Sequence, residues 1–482
     1  MENNIKMANN VKGLGRIFFL LLLLPAALAP AFVFAATERP KSVILFIGDG
    51  MSTPQRMTAN EFSVKCGRGS LAMNALPCQA TTRTCSADSL ITDSAAAATA
   101  IACGEKTLNH AVGVDAKGRP LTSVAEVARD DGKAVGIVTT VTINHATPAG
   151  FYAKRANRGD GYGIGLDLLK SGFDYFAGGG LSRHDDAKHP EYRGDVYALA
   201  KKAGYVFARR DRAAFDALKP GVGKVWYVAT DDAMPDSIDA GAWGDVPTLA
   251  EMTRKGIELL SADPDGFFMM VEGGRIDWAG HANDAATNLR EVLALDDAVK
   301  VALDWQKTHP ELLVVVTGDH ETGGLTMGFA GTGYSLYLER LALQKCSAGR
   351  LGDFIAKTHP QTFDALKPFL SENFGLDFST ADAKKSPMAV TPAEEAELEK
   401  AFAHDLALAR QGVRDDAAYD AKKMTRLPTA VKALFSHKCG LGWTSGAHTA
   451  LPVLTTAQGP GATRFVGFMD NTDIAKTLKS LL

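Results

Sequence analysis

Cysteine is scarce in this chain, with six residues in 482 and no C-x-x-C pair, so disulfides would be auxiliary staples on a fold held by its core. Cys66 with Cys78, and Cys346 with Cys439, are the pairings to expect if any form; Cys103, in an Ala-rich stretch, reads as a buried thiol. An excess of basic charge is also missing, since 52 Lys and Arg stand against 55 Asp and Glu for a formal net charge of −3. That balance argues against a protein that coats duplex nucleic acid, which needs a basic surface to displace counterions. It leaves a small or phosphate-bearing ligand open. Repeats and low-complexity tracts are absent, and with 46% hydrophobic residues the chain is not disordered, collagen-like or coiled-coil. Beyond residue 36 no run is long and apolar enough to span a bilayer.

The one long apolar run lies at the start. Lys6, Lys12 and Arg16 precede Ile17 to Phe34, which is interrupted by Pro25 and Pro30 and ends in Val33-Phe34-Ala35-Ala36. A positive segment, an apolar segment and a small-residue exit make a secretory signal. Residues 1–35 are therefore expected to be removed and the protein exported, periplasmic or secreted, with no stable membrane anchor. Removal takes away three basic residues and Glu2, a net +2, which turns −3 into −5.

Short, continuously apolar runs recur at Ser42 to Ile47, Ala134 to Thr140, Val225 to Ala229, Phe267 to Val271 and Leu312 to Thr317. Helical stretches such as Leu121 to Arg129 and Thr248 to Leu260 separate them. Apolar runs without polar alternation suit strands buried on both faces of a parallel sheet. This predicts a doubly wound α/β fold, with a mostly parallel central sheet flanked by helices. Asp49, His145 with Thr147, Glu272, and Asp319 with His320 all follow the ends of such runs, where open α/β sheets bind ligands. Between about Phe329 and Gly442 the chain turns Gly-, Lys-, Pro- and charge-rich, with a helix start at Thr391-Pro392-Ala393-Glu394. The expected organisation is a catalytic core in two pieces, 36–330 and 442–482, interrupted by an inserted subdomain at 331–441. Arg464 to Leu482 reads as a last strand and an amphipathic helix.

The strongest cluster is Glu272-Gly-Gly-Arg-Ile-Asp277-Trp-Ala-Gly-His281. Asp277 and His281, four apart, share one face of a helical turn. An oxygen donor with an imidazole suits Zn²⁺, and Glu272 offers a harder carboxylate for Mg²⁺. Asp319-His320, between Gly318 and Gly323-Gly324, repeats the strand-then-carboxylate arrangement. Asp93-Ser94 opens an alanine run of high helix propensity. Ser94 there is either a helix-start residue and nothing more, or a hydroxyl beside an anion site that needs a metal or base to activate it.

Taken together, Phe46-Ile-Gly-Asp49-Gly-Met-Ser, Thr92-Asp-Ser94-Ala-Ala-Ala-Ala-Thr, His145-Ala-Thr147-Pro-Ala, Glu272 to His281, and Thr317-Gly-Asp319-His320-Glu-Thr-Gly-Gly resemble, in order and approximate spacing, the alkaline phosphatases. The resemblance runs from about Pro40 to the end and is weakest in the insertion. It implies a phosphomonoesterase with two zinc ions and one magnesium, homodimeric, with Ser94 as the nucleophile that is phosphorylated and then released by water. Asp49, Asp319 and His320 match the ligands of the zinc beside Ser94; Asp277, His281 and His448 match those of the second zinc; Asp49, Thr147 and Glu272 match those of the magnesium. Arg158 matches the phosphate-clamping arginine, with Asp93 orienting it, and Arg155 is a neighbouring competitor.

Two departures stand out: His145 where enterobacterial members have Asp, and Trp278 where they have Lys. The pair resembles a bacterial subgroup. It would line the substrate pocket, with Trp278 either touching phosphate or forming a packed wall. Replacing a carboxylate by His145 should weaken magnesium retention. Alternatives within the superfamily are a phosphodiesterase, a phosphonate hydrolase or a sulfatase. A sulfatase needs a Cys/Ser-x-Pro-x-Arg setting, which Asp93-Ser94-Ala95-Ala96-Ala97 lacks, and diester specialists often lack the third-metal set present here. An alternative of another class is an inactive exported phosphate-binding protein, against which an intact nucleophile and ligand set both count.

Overall fold

Alternation of side chains across a sheet buried on both sides explains the architecture. In Ser42–Gly48 (β1) every residue is buried; Ile44 and Phe46 join one apolar cluster, while Val43, Leu45 and Ile47 join another on the opposite face. Phe267–Gly273 (β7) and Leu312–Gly318 (β8) divide their residues in the same way. The computed structural model describes residues 39–358, 360–410 and 426–482; the expected signal, 1–35, lies outside them.

The other strands are Cys78–Arg83 (β2), Ala134–Thr142 (β3), Tyr175–Gly179 (β4), Val206–Arg209 (β5), Val225–Val228 (β6), Glu321–Thr322 (β9), Leu325–Met327 (β10), Leu441–Trp443 (β11), His448–Thr449 (β12), Val453–Gln458 (β13) and Gly467–Asp470 (β14). Ten of them form one sheet in the order β14-β2-β13-β8-β1-β7-β3-β4-β6-β5. All run parallel except β13, which is antiparallel to both β2 and β8. This is the mostly parallel, helix-flanked sheet expected. The strands β2, β4, β5 and β13 were not anticipated: β4 and β5 are short, and β2 and β13 carry polar residues.

Parallel register brings the ends of β8, β1, β7 and β3 to one rim, with Gly48 opposite both Gly273 and Gly318, and Glu272 opposite Ile47 and Thr139. Because β13 runs the other way, the residues that precede it, including His448, reach the same rim.

Helices Leu249–Leu260 and Ala285–Gln306 cover one face; Ser94–Cys103, Val124–Asp130, Gly161–Ser171 and Asn471–Leu481 cover the other. The span between β10 and β11 is bracketed by their antiparallel pairing. Its Leu351, Phe363, Phe402 and Phe435 join the cluster on the first face. Thr391 and Glu394 form the expected capping box, and Leu398, Phe402 and Leu406 are buried.

All six cysteines are free thiols, so neither expected pairing forms. Cys66 ends an exposed helix terminus while Cys346 and Cys439 are buried in apolar surroundings, where packing alone accounts for them. Cys103 is buried, as expected. No helix among the described residues is long and apolar enough to cross a membrane.

Candidate active site

Asp93, not Ser94, caps the helix Ser94–Cys103: its Oδ1 accepts the Ala96 N–H at 2.9 Å. The Ser94 hydroxyl is therefore free of capping. It is 1% exposed and lies 3.2 Å from His320 Nε2 and 3.5 Å from Asp49 Oδ1. His320 Nε2 in turn lies 3.3 Å from Asp49 Oδ1 and 3.4 Å from Asp319 Oδ2. Four donors on a tetrahedral ion at ~2.0–2.1 Å would be separated by roughly 3.3 Å, which these spacings match.

A second group repeats the pattern. Asp277 and His281 share the helical turn Arg275–His281, and Asp277 Oδ1 lies 3.4 Å from both His281 Nε2 and His448 Nε2, which are 3.1 Å apart. His281 Nδ1 donates to Gly446 O and His448 Nδ1 to Thr92 O, each at 2.8 Å. Carbonyls only accept, so both Nδ1 atoms carry a proton, and each Nε2, turned toward the cluster, is left to take a cation or, without one, a second proton. The two groups touch, with the His320 and His448 rings stacked at 3.7 Å.

The third group is oxygen-rich. Asp49 Oδ2 lies 3.4 Å from Thr147 Oγ1, and carboxylate oxygens of Asp49 and Glu272 fall within 4.8 Å of each other and of His145. Glu272 Oε2 accepts from Thr139 Oγ1, while Glu272 Oε1 and Asp319 Oδ2 are buried without a hydrogen-bond partner. Four carboxylates, all at most 4% exposed, are thus concentrated with two orphaned oxygens. Divalent cations fit this set, because buried carboxylates without counter-charge are strongly unfavourable.

The electrostatics agree. Burial, reinforced by like-charged neighbours, pushes the Asp49 carboxyl well up, Asp319 up to about 7 and Glu272 up to about 8. Burial acts upward on Asp277 too, but the His448 hydrogen bond and the charges of His281 and His448 outweigh it and hold Asp277 far below the usual range. Burial drives His320 well down.

Arg158 spans the mouth, its Nη1 donating to Asp93 Oδ2 at 3.2 Å and its Nη2 to His145 Nε2 at 3.1 Å. A guanidinium has no acceptor, so His145 Nε2 accepts and its proton sits on Nδ1, which is buried and unpartnered. Although His145 lies among the oxygen ligands, its Nε2 lone pair is therefore taken by Arg158 and its other ring nitrogen carries a proton. Burial, with Arg158 beside it, pushes its pKa down to about 3, so the ring is neutral. Trp278 stands edge-on to His145 at 5.9 Å with the Arg275 guanidinium 4.6 Å from its ring centre, which suits a packed wall. Arg155 is taken up by Asp160, Asp167 and Glu191 and so does not compete with Arg158.

Sequence reasoning missed the supports. Thr322 Oγ1 donates to Asp277 Oδ1 at 2.5 Å and accepts from His320 Nδ1 at 3.2 Å, tying the first two groups together. Glu321, fully buried, accepts from Gln55 Nε2 at 2.6 Å, Leu325 N at 3.2 Å, Gly324 N at 3.0 Å and Thr449 Oγ1, and so joins the Asp319-His320 turn to β12. Gly324 has φ +60°, and a Cβ there would meet Thr444 Oγ1 at 1.8 Å. The signal available was Glu321-Thr322-Gly323-Gly324 itself, polar residues and glycines directly after a buried strand.

Comparisons with known proteins agree with this geometry. The alkaline phosphatase family profile matches residues 40–165 and 201–482. Alkaline phosphatase 3 of Bacillus subtilis (strain 168) is 34% identical over 448 residues, covering 91% of this chain and 88% of that protein. A cold-active alkaline phosphatase from a psychrophilic Shewanella sp. superposes with a TM-score of 0.77 at 29% identity, covering 92% of this chain and 99% of that one. TAB5 alkaline phosphatase with a histidine replaced by aspartate, and Mg bound in its M3 site, superposes with a TM-score of 0.62 at 27% identity, covering 92% and 98%. With its sheet, its buried carboxylate and imidazole groups and these matches all in accord, the chain belongs to the alkaline phosphatase family and is an enzyme.

Proposed function

We propose that this enzyme hydrolyses phosphate monoesters through a phosphoserine at Ser94. The observation that carries the reading is the Ser94 hydroxyl, held at 3.2 Å from His320 Nε2 and 3.5 Å from Asp49 Oδ1, with the Arg158 guanidinium at the mouth of the same basin. Asp49, Asp319 and His320 would hold one zinc ion, Asp277, His281 and His448 a second, and Asp49, Thr147 and Glu272 a magnesium ion. When bound, the three ions would supply the positive charge that acidifies a hydroxyl and neutralises charge developing on phosphate oxygens.

The chain's own groups do the positioning. Arg158, oriented by Asp93, offers two N–H donors to two phosphate oxygens. Ser94, at a helix N-terminus, presents Oγ where unpaired backbone N–H groups favour an anion. The Ser94 Oγ–P bond forms as the ester P–O bond breaks and the leaving oxygen takes a proton; water then cleaves the Oγ–P bond and frees phosphate and serine. Backbone carbonyls at Thr92 and Gly446 keep His448 and His281 turned toward the reacting centre. We read the protein as exported and homodimeric, with residues 331–441 as an inserted subdomain on the core.

With p-nitrophenyl phosphate the expected kcat/KM exceeds that for bis(p-nitrophenyl) phosphate by about a hundredfold or more, because a diester lacks one of the anionic oxygens the site is built to pair. Both activities are expected to vanish with a chelator. Equal or greater diester activity, or indifference to chelation, would refute the reading. His145→Asp is expected to lower the magnesium concentration for half-maximal activity by about tenfold, since it replaces a neutral donor by a carboxylate. The Mg described in the TAB5 variant with the same kind of replacement supports that direction. Isothermal titration of the metal-depleted variant with Mg²⁺ alone checks it, and unchanged affinity would count against it.

A further inference from the structure

The family match passes over residues 166–200, yet this stretch sends three side chains back to the segment that bears Arg158. Arg155 and Asp160 form the base of that segment and lie 3.3 Å apart. Between them Ala156, Asn157 and Gly159 are exposed, so the loop has little packing of its own. Arg155 is bound on one side by Asp167, through Nε at 2.8 Å and Nη2 at 2.9 Å, and by Glu191, which accepts from Nη1. Asp160 is bound on the other side by His189, whose Nε2 donates to Oδ1 at 2.8 Å, and the same oxygen caps the helix Gly161–Ser171 by accepting from Gly163 N at 2.9 Å. His189 Nδ1 accepts the Glu191 N–H at 3.1 Å, so the imidazole is fixed in the tautomer that donates to Asp160. The two restraints on the loop base are thus joined to each other.

We propose that His189 and Glu191 are positioning residues for Arg158: by clamping Arg155 and Asp160 they hold the loop so that the Arg158 fork is aimed into the basin before substrate arrives. The proposal rests on the reading of Arg158 as the phosphate clamp. Its physical content is preorganisation. Within the loop the Arg158 N–H donates to His110 O at 2.7 Å, but its neighbours are exposed; with the ends unclamped such a loop samples more backbone states, and each competing state lowers the population that can grip phosphate. The cost falls on binding of phosphate, in substrate and product alike. The chemistry of Ser94 is left nearly untouched.

The test uses the mature, metal-loaded enzyme carrying Glu191→Ala, Glu191→Asp, His189→Ala and Arg158→Ala, and Glu191→Ala combined with Arg158→Ala. The readouts are kcat and KM for p-nitrophenyl phosphate, the inhibition constant of inorganic phosphate, and bound metal. Glu191→Ala and His189→Ala are expected to raise KM and the phosphate inhibition constant together by about five- to twentyfold, with kcat changed less than about threefold and bound metal unchanged. Glu191→Asp should recover part of the loss. In the Arg158→Ala background, Glu191→Ala should add nothing, since the group it positions is gone. An unchanged inhibition constant in both single variants, or a Glu191→Ala effect that persists in full without Arg158, would overturn the proposal and leave the clamp reading intact. If Arg158→Ala itself leaves phosphate binding unchanged, the clamp reading fails and the positioning role falls with it.

Discussion

Ser94→Ala is expected to lower turnover of p-nitrophenyl phosphate by at least about a thousandfold while bound metal and Tm stay near the wild-type values. The size of the effect follows from the geometry. Ser94 Oγ forms a near-equilateral triangle with His320 Nε2 and Asp49 Oδ1, whereas the Thr147 hydroxyl approaches the other Asp49 oxygen, 3.4 Å away, on the side of the third group. It cannot take over in-line attack from there. The fold should tolerate the change, because Asp93 supplies the cap and alanine at the first position of an Ala-rich helix is a strong helix former. Steady-state kinetics, with acid-quenched labelling by radioactive phosphate, separate the possibilities. A variant that turns over normally, or still traps covalent phosphate, would refute the role of Ser94.

Metal removal should have the second large effect, and its pH dependence has a definite sign. The Asp319 and Glu272 carboxyls are raised to about 7 and about 8 by burial, and Asp49 is raised as well, while in the unfolded chain such groups release their protons at about pH 4. Between these limits the metal-free fold binds protons that the unfolded chain does not, so its stability falls as pH rises through that window. Cations bind only the deprotonated carboxylates, and each one present at a hundredfold its Kd contributes about 2.7 kcal/mol. The chelator-treated enzyme is therefore expected to lose Tm between about pH 4 and about pH 8, while the metal-loaded enzyme holds its Tm, so that the gap between them widens with pH across that window. Acidification below about pH 7 should also weaken metal binding, since protons then compete for Asp319 and Glu272. Scanning calorimetry at a series of pH values, with metal analysis after dialysis, measures both. A gap that narrows toward high pH would contradict the assignment of these carboxylates to cation binding.

Much of the core was legible in the chain. Apolar runs such as Phe267 to Val271 carry their own signal, because a strand buried on both faces can hold almost no polar residue; the four-residue spacing of Asp277 and His281 likewise implies a shared face wherever the local structure is helical. Strands such as β2 and β13 escaped because their Thr and Gln side chains find partners only across the sheet: Thr82 Oγ1 and Thr455 Oγ1 meet at 2.7 Å, 373 positions apart. Cysteine spacing was similarly uninformative about pairing, since it carries no measure of distance in the fold.

The sequence alone determined the doubly wound class and the rim at which Asp49, Thr147, Glu272 and Asp319 emerge, because local periodicity and glycine placement settle such features within a few residues of chain; Ser94 stood out as nucleophile only through the family resemblance. Only the tertiary structure decided which atoms meet. It brought His448 to the rim by the reversed direction of β13, spent Arg155 in an ion-pair network and left Arg158 at the basin, tied the Nε2 lone pair of His145 to Arg158, and made Glu321 and Thr322 supports for both imidazole groups. Each of these outcomes depends on hydrogen bonds between distant segments, whose energies are set by burial and direction in three dimensions and leave no pattern along the chain.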